Sequence, residues 1–381
     1  MTSFLPNLIF NSAFTFSTSA ISTAFSAFTF SASAISTAVS AFSGATPALV
    51  FGLSSPIKNL MPFGLADSHY LYFFLGLLGL WLGSELITKS ATKIAKRMGL
   101  SETFIGLTIL AIGTDFPEIM VAMTGAVDQL HGAETTGLVV GNIMGSVLSQ
   151  ISLILGLSGL FKVLRVRKEE VMKNGLVLIG ATLMVLLLAL DGFLSQVDGL
   201  ILVAFYLAYF FSLQSKTGFS IIKGKVRRFT GNGMMLSLLK LGLGLLILAQ
   251  ASHWVVASGE AIATELGVSQ MIVGVLLIGF GTSLPELVVS LSAILKGSTG
   301  LSVGNLIGSN LIDLLIALGG SAMIGGWQID RRIATFDLAY LLLTSVIVVL
   351  FLMTRRKLDR KESLLVVSLY GVYVSLKILG F

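Results

Sequence analysis

Four acids stand inside long apolar stretches of this 381-residue chain. Asp115 and Glu118 lie in GLTILAIGTDFPEIMVAMTGA, which starts at Gly106. Glu286 lies in GVLLIGFGTSLPELVVSLSAI, from Gly274, and Asp313 in GNLIGSNLIDLLIALG, from Gly304. A charged side chain at a bilayer centre costs about 2.5–3.5 kcal/mol on insertion scales, so acids placed there call for a functional reason. Their surroundings are oxygen-rich. In each GT-x-x-PE stretch Gly and Pro interrupt a helix, because proline removes an N–H and clashes with a carbonyl one turn back. Carbonyls freed in this way are tolerated only when they are buried or face a cavity. They join the hydroxyls of Thr114 and Thr282 as hard donors, with Glu118 and Glu286 one turn after each break. Ser146 and Ser309 present further hydroxyls, and Gln150 and Asp313 project one turn beyond them. An all-oxygen set suits Ca2+ and, among other hard cations, Na+. The chain has no cysteine, so disulfides, thiolate metal sites and iron–sulfur clusters are excluded; His69, His131 and His253 lie near the ends of apolar runs, so an imidazole metal site is not expected.

Taken singly, each feature has a plainer reading. Glycines four residues apart usually serve helix packing, a lone proline is a kink, and a lone Glu near a span end is interfacial. Glu85 is read in that way, as structural or interfacial. The four mid-span acids differ because they stand in segments that repeat.

The elements that must hold these residues are membrane helices. Apolar types make up 55% of the chain and charged residues only 12%, with a mean hydropathy of +0.93; a soluble chain carries about 25% charge. A β-barrel would alternate apolar and polar residues, and these runs are continuous. Ten spans are expected, at 70–92, 103–127, 134–160, 172–190, 197–214, 233–256, 268–294, 301–325, 335–353 and 364–380. The gaps after odd-numbered spans, with Lys89 and Lys173 at the span ends that border them, hold 20 of the 25 positive residues. Short cytoplasmic loops collect Lys and Arg, so those gaps face the cytoplasm and both chain ends face outside. The net charge of +6 is then a topology signal, and nucleic acid is not an expected partner.

The segments from Gly106 and Gly274 resemble each other at an offset of 168 residues, and GNIMGSVLSQISLILG from Gly141 resembles the segment from Gly304 at an offset of 163. The chain therefore reads as an all-α polytopic membrane protein, its ten transmembrane helices forming two inverted five-helix repeats. Five is odd, so the second repeat inserts upside down, an architecture that places a site at the midplane between repeats. The expected divisions are a leader at 1–66, a first repeat at 67–214, a basic cytoplasmic loop at 215–232 and a second repeat at 233–381. The leader has no charge before Lys58 and holds a tandem duplication, Phe14–Ala27 and Phe28–Ala41. It is expected to be a poorly ordered accessory segment.

With the paired GT-x-x-PE and GN-x-x-GS segments in view, residues 70–381 resemble the calcium/cation antiporter superfamily, whose best-known members are sodium/calcium exchangers. The resemblance implies two discontinuous motif helices and exchange of Ca2+ against Na+ at a shared site by alternating access, with spans one and six sliding across the rest. Carried over by position, it implies as ligands the Ala111 carbonyl, Thr114, Asp115, Glu118, Ser146 and Gln150 from the first repeat. From the second it implies the Gly279 carbonyl, Thr282, Ser283, Glu286, Ser309 and Asp313. Glu118 and Glu286 would be the central, shared pair. The first repeat departs from the family pattern: Ser is usual where Asp115 stands, and Asn where Val147 and Gln150 stand. Asp115 either pairs with an additional cation or carries a proton, since close carboxylates disfavour joint ionisation. The alternative to Na+ coupling is thus a proton- or K+-coupled divalent cation exchanger. No G-x-x-x-x-G-K-[ST] loop occurs, so neither ATP nor any cofactor is expected. The expected partners are the transported ions and the lipid bilayer of the plasma membrane, with the chain monomeric and not an enzyme. A channel needs a continuous pore, commonly ringed by subunits, and the closed midplane cage argues against one.

Overall fold

Apolar runs in a bilayer must satisfy their own backbone hydrogen bonds, which favours helix, and the expected spans are helical over most of their described residues. The computed structural model describes residues 69–97, 111–166, 168–216, 232–295, 297, 299–355 and 357–379. The leader at 1–66, most of the 215–232 loop and residues 98–110, which include the start of the first motif, lie outside the described residues. In chain order the helices are α1 (His69–Arg97), α2 (Ala111–Thr114), α3 (Phe116–Leu130), α4 (Thr136–Leu148), α5 (Leu155–Phe161), α6 (Lys168–Leu188), α7 (Gln196–Lys216) and α8 (Asn232–Leu266). There follow α9 (Gln270–Val273), α10 (Phe280–Thr282), α11 (Leu284–Leu295), α12 (Thr299–Ile312), α13 (Leu318–Gly325), α14 (Leu338–Arg355) and α15 (Arg360–Ile378).

Four wider π turns interrupt this series: Ser149–Ile154 joins α4 to α5, Gly274–Gly279 joins α9 to α10, Asp313–Ala317 joins α12 to α13, and Ile333–Asp337 opens α14. Among the described residues, five stretches are long and apolar enough to cross a membrane: His69–Ile94, Thr136–Phe161, Met234–Leu266, Ser302–Gly325 and Ile333–Thr354. The bent pair Gln270–Thr282 and Leu284–Leu295 makes a sixth. Met172–Leu188 and Gln196–Ser212 are shorter apolar helices.

The largest boundary difference from the sequence expectation lies at the sixth span. The sixth span, expected to end at residue 256, continues as helix to Leu266. Ala261, Ile262, Ala263 and Glu265 sustain it, and Gly267 at φ +63 ends it in the left-handed conformation that glycine adopts freely. His253 is consequently well inside a helix rather than near its end.

Two pairs of two-residue strands staple the loops. Strand β1 (Leu164–Arg165) pairs with β4 (Lys357–Leu358), and β2 (Phe193–Leu194) pairs with β3 (Trp327–Gln328), both antiparallel. Strands β1 and β3 start 163 residues apart and β2 and β4 start 164 apart, so exchanging the halves turns one pairing into the other.

The buried apolar side chains fall into two clusters. The main one runs through α4, α6, α12, α13 and α14 and includes Trp327 and Tyr373. The second is built largely from α1 and α8 with Val121, Leu138, Val273 and Ile278. Helices α1 and α8 lie antiparallel: Gly76 faces Val255 and Ala251, Gly79 faces Ala251, and Gly83 faces Leu248 and Gly244.

Candidate functional site

The two motif helices break at matching residues. Asp115 separates α2 from α3 with φ −81 and ψ 0, and Ser283 separates α10 from α11 with φ −81 and ψ 4. At the second break the axis turns by 41°. The hydrogen-bond ladder restarts at once, with Ile119 N–H donating to Asp115 O at 3.1 Å and Leu287 N–H to Ser283 O at 3.2 Å. Pro117 and Pro285 sit in the first turns that follow, where the missing N–H would have been unsatisfied in any case. Glu118 and Glu286 occupy the same turns, and a helix N-terminus favours negative charge.

The second pair of segments approaches this region through backbone contact. A Cβ on Gly145 would lie 2.4 Å from Val275 O, and one on Gly279 would lie 2.6 Å from Asn142 O. That proximity places Ser146 among the groups of the other half. Its Oγ is 3.1 Å from Gly279 O, 3.3 Å from Glu118 Oε1 and 3.3 Å from Thr282 Oγ1. The Thr282 hydroxyl donates within reach of Asn142 Oδ1 at 3.1 Å, and the Ser283 hydroxyl lies 2.9 Å from Gly279 O and 3.4 Å from Glu118 Oε1. A hydroxyl has one proton and two lone pairs, so these groups together offer more acceptors than donors. Because the contact is backbone on backbone, Gly145→Ala or Gly279→Ala is expected to prise α4 from the Gly274–Gly279 turn. Thermal unfolding should then show a loss of about 2 kcal/mol or more, in the range of overpacked cores. An unchanged melting temperature would contradict the contact.

Gln150 and Asp313 come from the equivalent π turns Ser149–Ile154 and Asp313–Ala317, and Gln150 Nε2 donates to Asp313 Oδ2 at 3.1 Å. Such turns widen a helix locally and recur at functional sites. Asp115, Glu118, Glu286 and Asp313 are all 0% exposed, and their charges act on one another. Both oxygens of Asp115, both of Glu286, Oε2 of Glu118 and Oδ1 of Asp313 are buried without a hydrogen-bond partner, as is Ser309 Oγ. A buried acceptor without a donor is costly, and six carboxylate oxygens in that condition make a set suited to cations. Among the described residues no three acids converge as a carboxylate-only cage, so a bound cation would also draw on hydroxyl, amide and carbonyl oxygens.

Of the residues singled out from sequence, Glu118, Ser146, Gly279, Thr282 and Ser283 form one connected group, and Gln150 with Asp313 forms a second. Asp115 lies beside Ser309 and Glu286, without a hydrogen bond of ordinary geometry between them. Thr114 is buried, and Ala111 opens α2 at the position equivalent to Gly279. Asn142, which accepts from Thr282, is not among the residues singled out from sequence; Asn310, which keeps the family pattern where Val147 departs from it, has an amide wholly buried without a partner. The signal for Asn142 was present, since an Asn follows the first Gly in both GN-x-x-GS segments. Glu85 pairs with Lys89 at 2.6 Å on an exposed face of α1 and stands apart from the site.

Comparison with known proteins gives a consistent result. The family model described as sodium/calcium exchanger protein matches residues 68–213 and 236–379. An uncharacterized membrane protein of Methanocaldococcus jannaschii is 31% identical over 304 residues, 80% of this chain and 96% of that protein. Sodium/calcium exchanger MaX1 of Methanosarcina acetivorans is 26% identical over 351 residues, 80% of this chain and 97% of that protein. A solved structure of the sodium-calcium exchanger NCX_Mj superposes with a TM-score of 0.56 at 30% identity, covering 81% of this chain and 98% of its own. The chain is a helical, multi-pass membrane protein that belongs to the sodium/calcium exchanger family.

Proposed function

We propose that the protein is a secondary active antiporter that exchanges Ca2+ for Na+ at a midplane site, by alternating access. The observation that carries the reading is the connected group of Glu118, Ser146, Gly279 O, Thr282 and Ser283, drawn from both halves and bordered by six unpartnered carboxylate oxygens. Ligands of this kind bind hard cations at contact distances that suit Ca2+ and Na+. The names of the similar proteins support it: MaX1 is called a sodium/calcium exchanger, and structures of NCX_Mj come from soaks with Na+ and Ca2+. The site residues in this reading are those named from the sequence, with Asn142 as a neighbour that orients Thr282.

Two further features support ten spans in inverted repeats. The loop pairings β1–β4 and β2–β3 interchange when the halves are exchanged. The α6–α7 hairpin is tied by Tyr209 OH donating to Asn174 Oδ1 at 3.1 Å, and the α14–α15 hairpin by Tyr373 OH donating to Asp337 Oδ1 at 2.7 Å, 163 to 164 residues later. The α1–α8 pair has its own hydrophobic cluster and most of it is not buried against the rest of the molecule, which suits the role of the moving unit. With the basic loops cytoplasmic, both termini face outside.

The reading is tested by titrating Ca2+ into the purified protein in detergent at rising Na+. Binding heat that shrinks with Na+ is expected, and heat indifferent to Na+ would contradict a shared site.

A second reading is favoured by one residue. Asp115 adds a fourth buried acid where the second repeat has Ser283. That charge is balanced by another cation, and coupling to H+ or K+ in place of Na+ would supply one. Asp115→Ser is expected to change the dependence of Ca2+ flux on pH and K+ while leaving Ca2+ transport in place. An ion dependence identical to that of the unaltered protein would make Asp115 a bystander.

A further inference from the structure

Outside the ligand set, an ionisable pair bridges α3 and α8. His253 Nδ1 lies 3.6 Å from Asp128 Oδ2, with side-chain exposures of 53% and 25%. One turn along α3, Thr124 Oγ1 and Ser252 Oγ are 2.7 Å apart. The two contacts are adjacent on both helices, and they join the first motif helix to the helix that packs antiparallel on α1. A third polar link from the α1–α8 pair to the motif helices is the Ser84 hydroxyl, which donates to Gly113 O at 2.5 Å. Among the described residues the pair also meets the rest of the molecule through apolar side chains such as Val121, Leu138 and Ile278. Such surfaces slide at low cost, whereas polar contacts must be broken.

We infer that Asp128 and His253 form a proton-operated latch that holds the α1–α8 pair against α3. The inference rests on the exchange reading, in which that pair moves. Imidazole changes charge near neutral pH, and a protonated ring pairs with a carboxylate by a charge-assisted hydrogen bond. When the ring is neutral the ionic attraction is lost, and at 3.6 Å no hydrogen bond takes its place.

Other ionisable groups near α8 do not replace Asp128. On α3 the second one is Glu118, which is buried in the site. Helix α1 brings His69, Tyr70, Tyr72, Glu85, Lys89, Lys93, Lys96 and Arg97, and of these Glu85 is already paired with Lys89. Helices α4 and α9 and the Gly274–Gly279 turn bring none, while α8 itself carries Lys240, Glu260 and Glu265.

The chain has no cysteine, so introduced ones report cleanly. Leu246→Cys on α8 and Leu187→Cys on α6 are both exposed and carry spin labels in the full-length protein in lipid nanodiscs. Between about pH 8 and about pH 5.5, the population at the latched distance is expected to rise about two- to fivefold over the alternative, as for a partly exposed ion pair. His253→Gln and Asp128→Asn should each remove that response. A pH response that persists in His253→Gln overturns the latch, as does a label distance that ignores pH in the unaltered background. The distance needs no transport, so it is decided separately from the exchange reading, for which Na+-driven Ca2+ flux is measured on the same preparations.

Discussion

Glu118→Gln is expected to abolish Ca2+ flux, with a loss of about 100-fold or more, and Glu286→Gln is expected to do the same. The substitution keeps the shape and removes the charge. Glu118 Oε1 is within hydrogen-bond reach of Ser146 and Ser283 while Oε2 has no donor. An amide at that place turns one acceptor face into a donor that points at the ion. Losing one ionised ligand of a buried group costs about 3 kcal/mol by the measure of broken buried pairs, or about 100-fold in affinity. The same variant relieves repulsion with the acids around it, so the fold should survive and melting temperature should hold or rise. Flux that stays near normal in either variant would show that the carboxylates are not the central ligands. Loss of flux together with loss of folding would be separated by circular dichroism and by size-exclusion chromatography.

Lys377→Met is expected to give the largest loss of stability in the second half. Lys377 Nζ donates to Asp337 Oδ2 at 2.7 Å, and the Asp337 carboxylate is 0% exposed. Tyr373 holds the other oxygen, and the ammonium lies 5.6 Å from the Phe336 ring centroid. Removing the cation strands a carboxylate among apolar and aromatic groups, which costs about 3–5 kcal/mol when it remains ionised. The first half points to the remedy. At the related place Asn174 stands where Asp337 stands, bonded to Tyr209 with no charge involved. Adding Asp337→Asn to Lys377→Met should therefore restore most of the lost stability in thermal unfolding. If the double variant melts no higher than the single one, the ion pair is not the source of the loss.

The breaks at Asp115 and Ser283 are legible in the sequence because glycine and proline act locally, within a turn of where they stand. The meeting of Gln150 with Asp313 is legible for a different reason: two segments that repeat must pack in related ways. What escapes the sequence depends on neighbours distant in the chain. The π turns at Ser149–Ile154 and Asp313–Ala317 arise where helices pack closely, and no residue type announces them. The extension of α8 to Leu266 was hidden because the hydrophobic count falls after residue 256 while helix propensity does not. Asn142 sat in plain view in a repeated motif, yet its task emerges only once Thr282 is brought against it. Nothing in the sequence marks a partner for Lys377, which is 40 residues from Asp337 and meets it only in the packed hairpin.

Exchange itself is tested most directly by Ca2+ uptake into reconstituted vesicles loaded with Na+, with pH and membrane voltage clamped. The account predicts uptake that follows the outward Na+ gradient and stops when that gradient is collapsed. Uptake that ignores Na+ and follows an imposed pH gradient instead would contradict it and would transfer the coupling role to the proton.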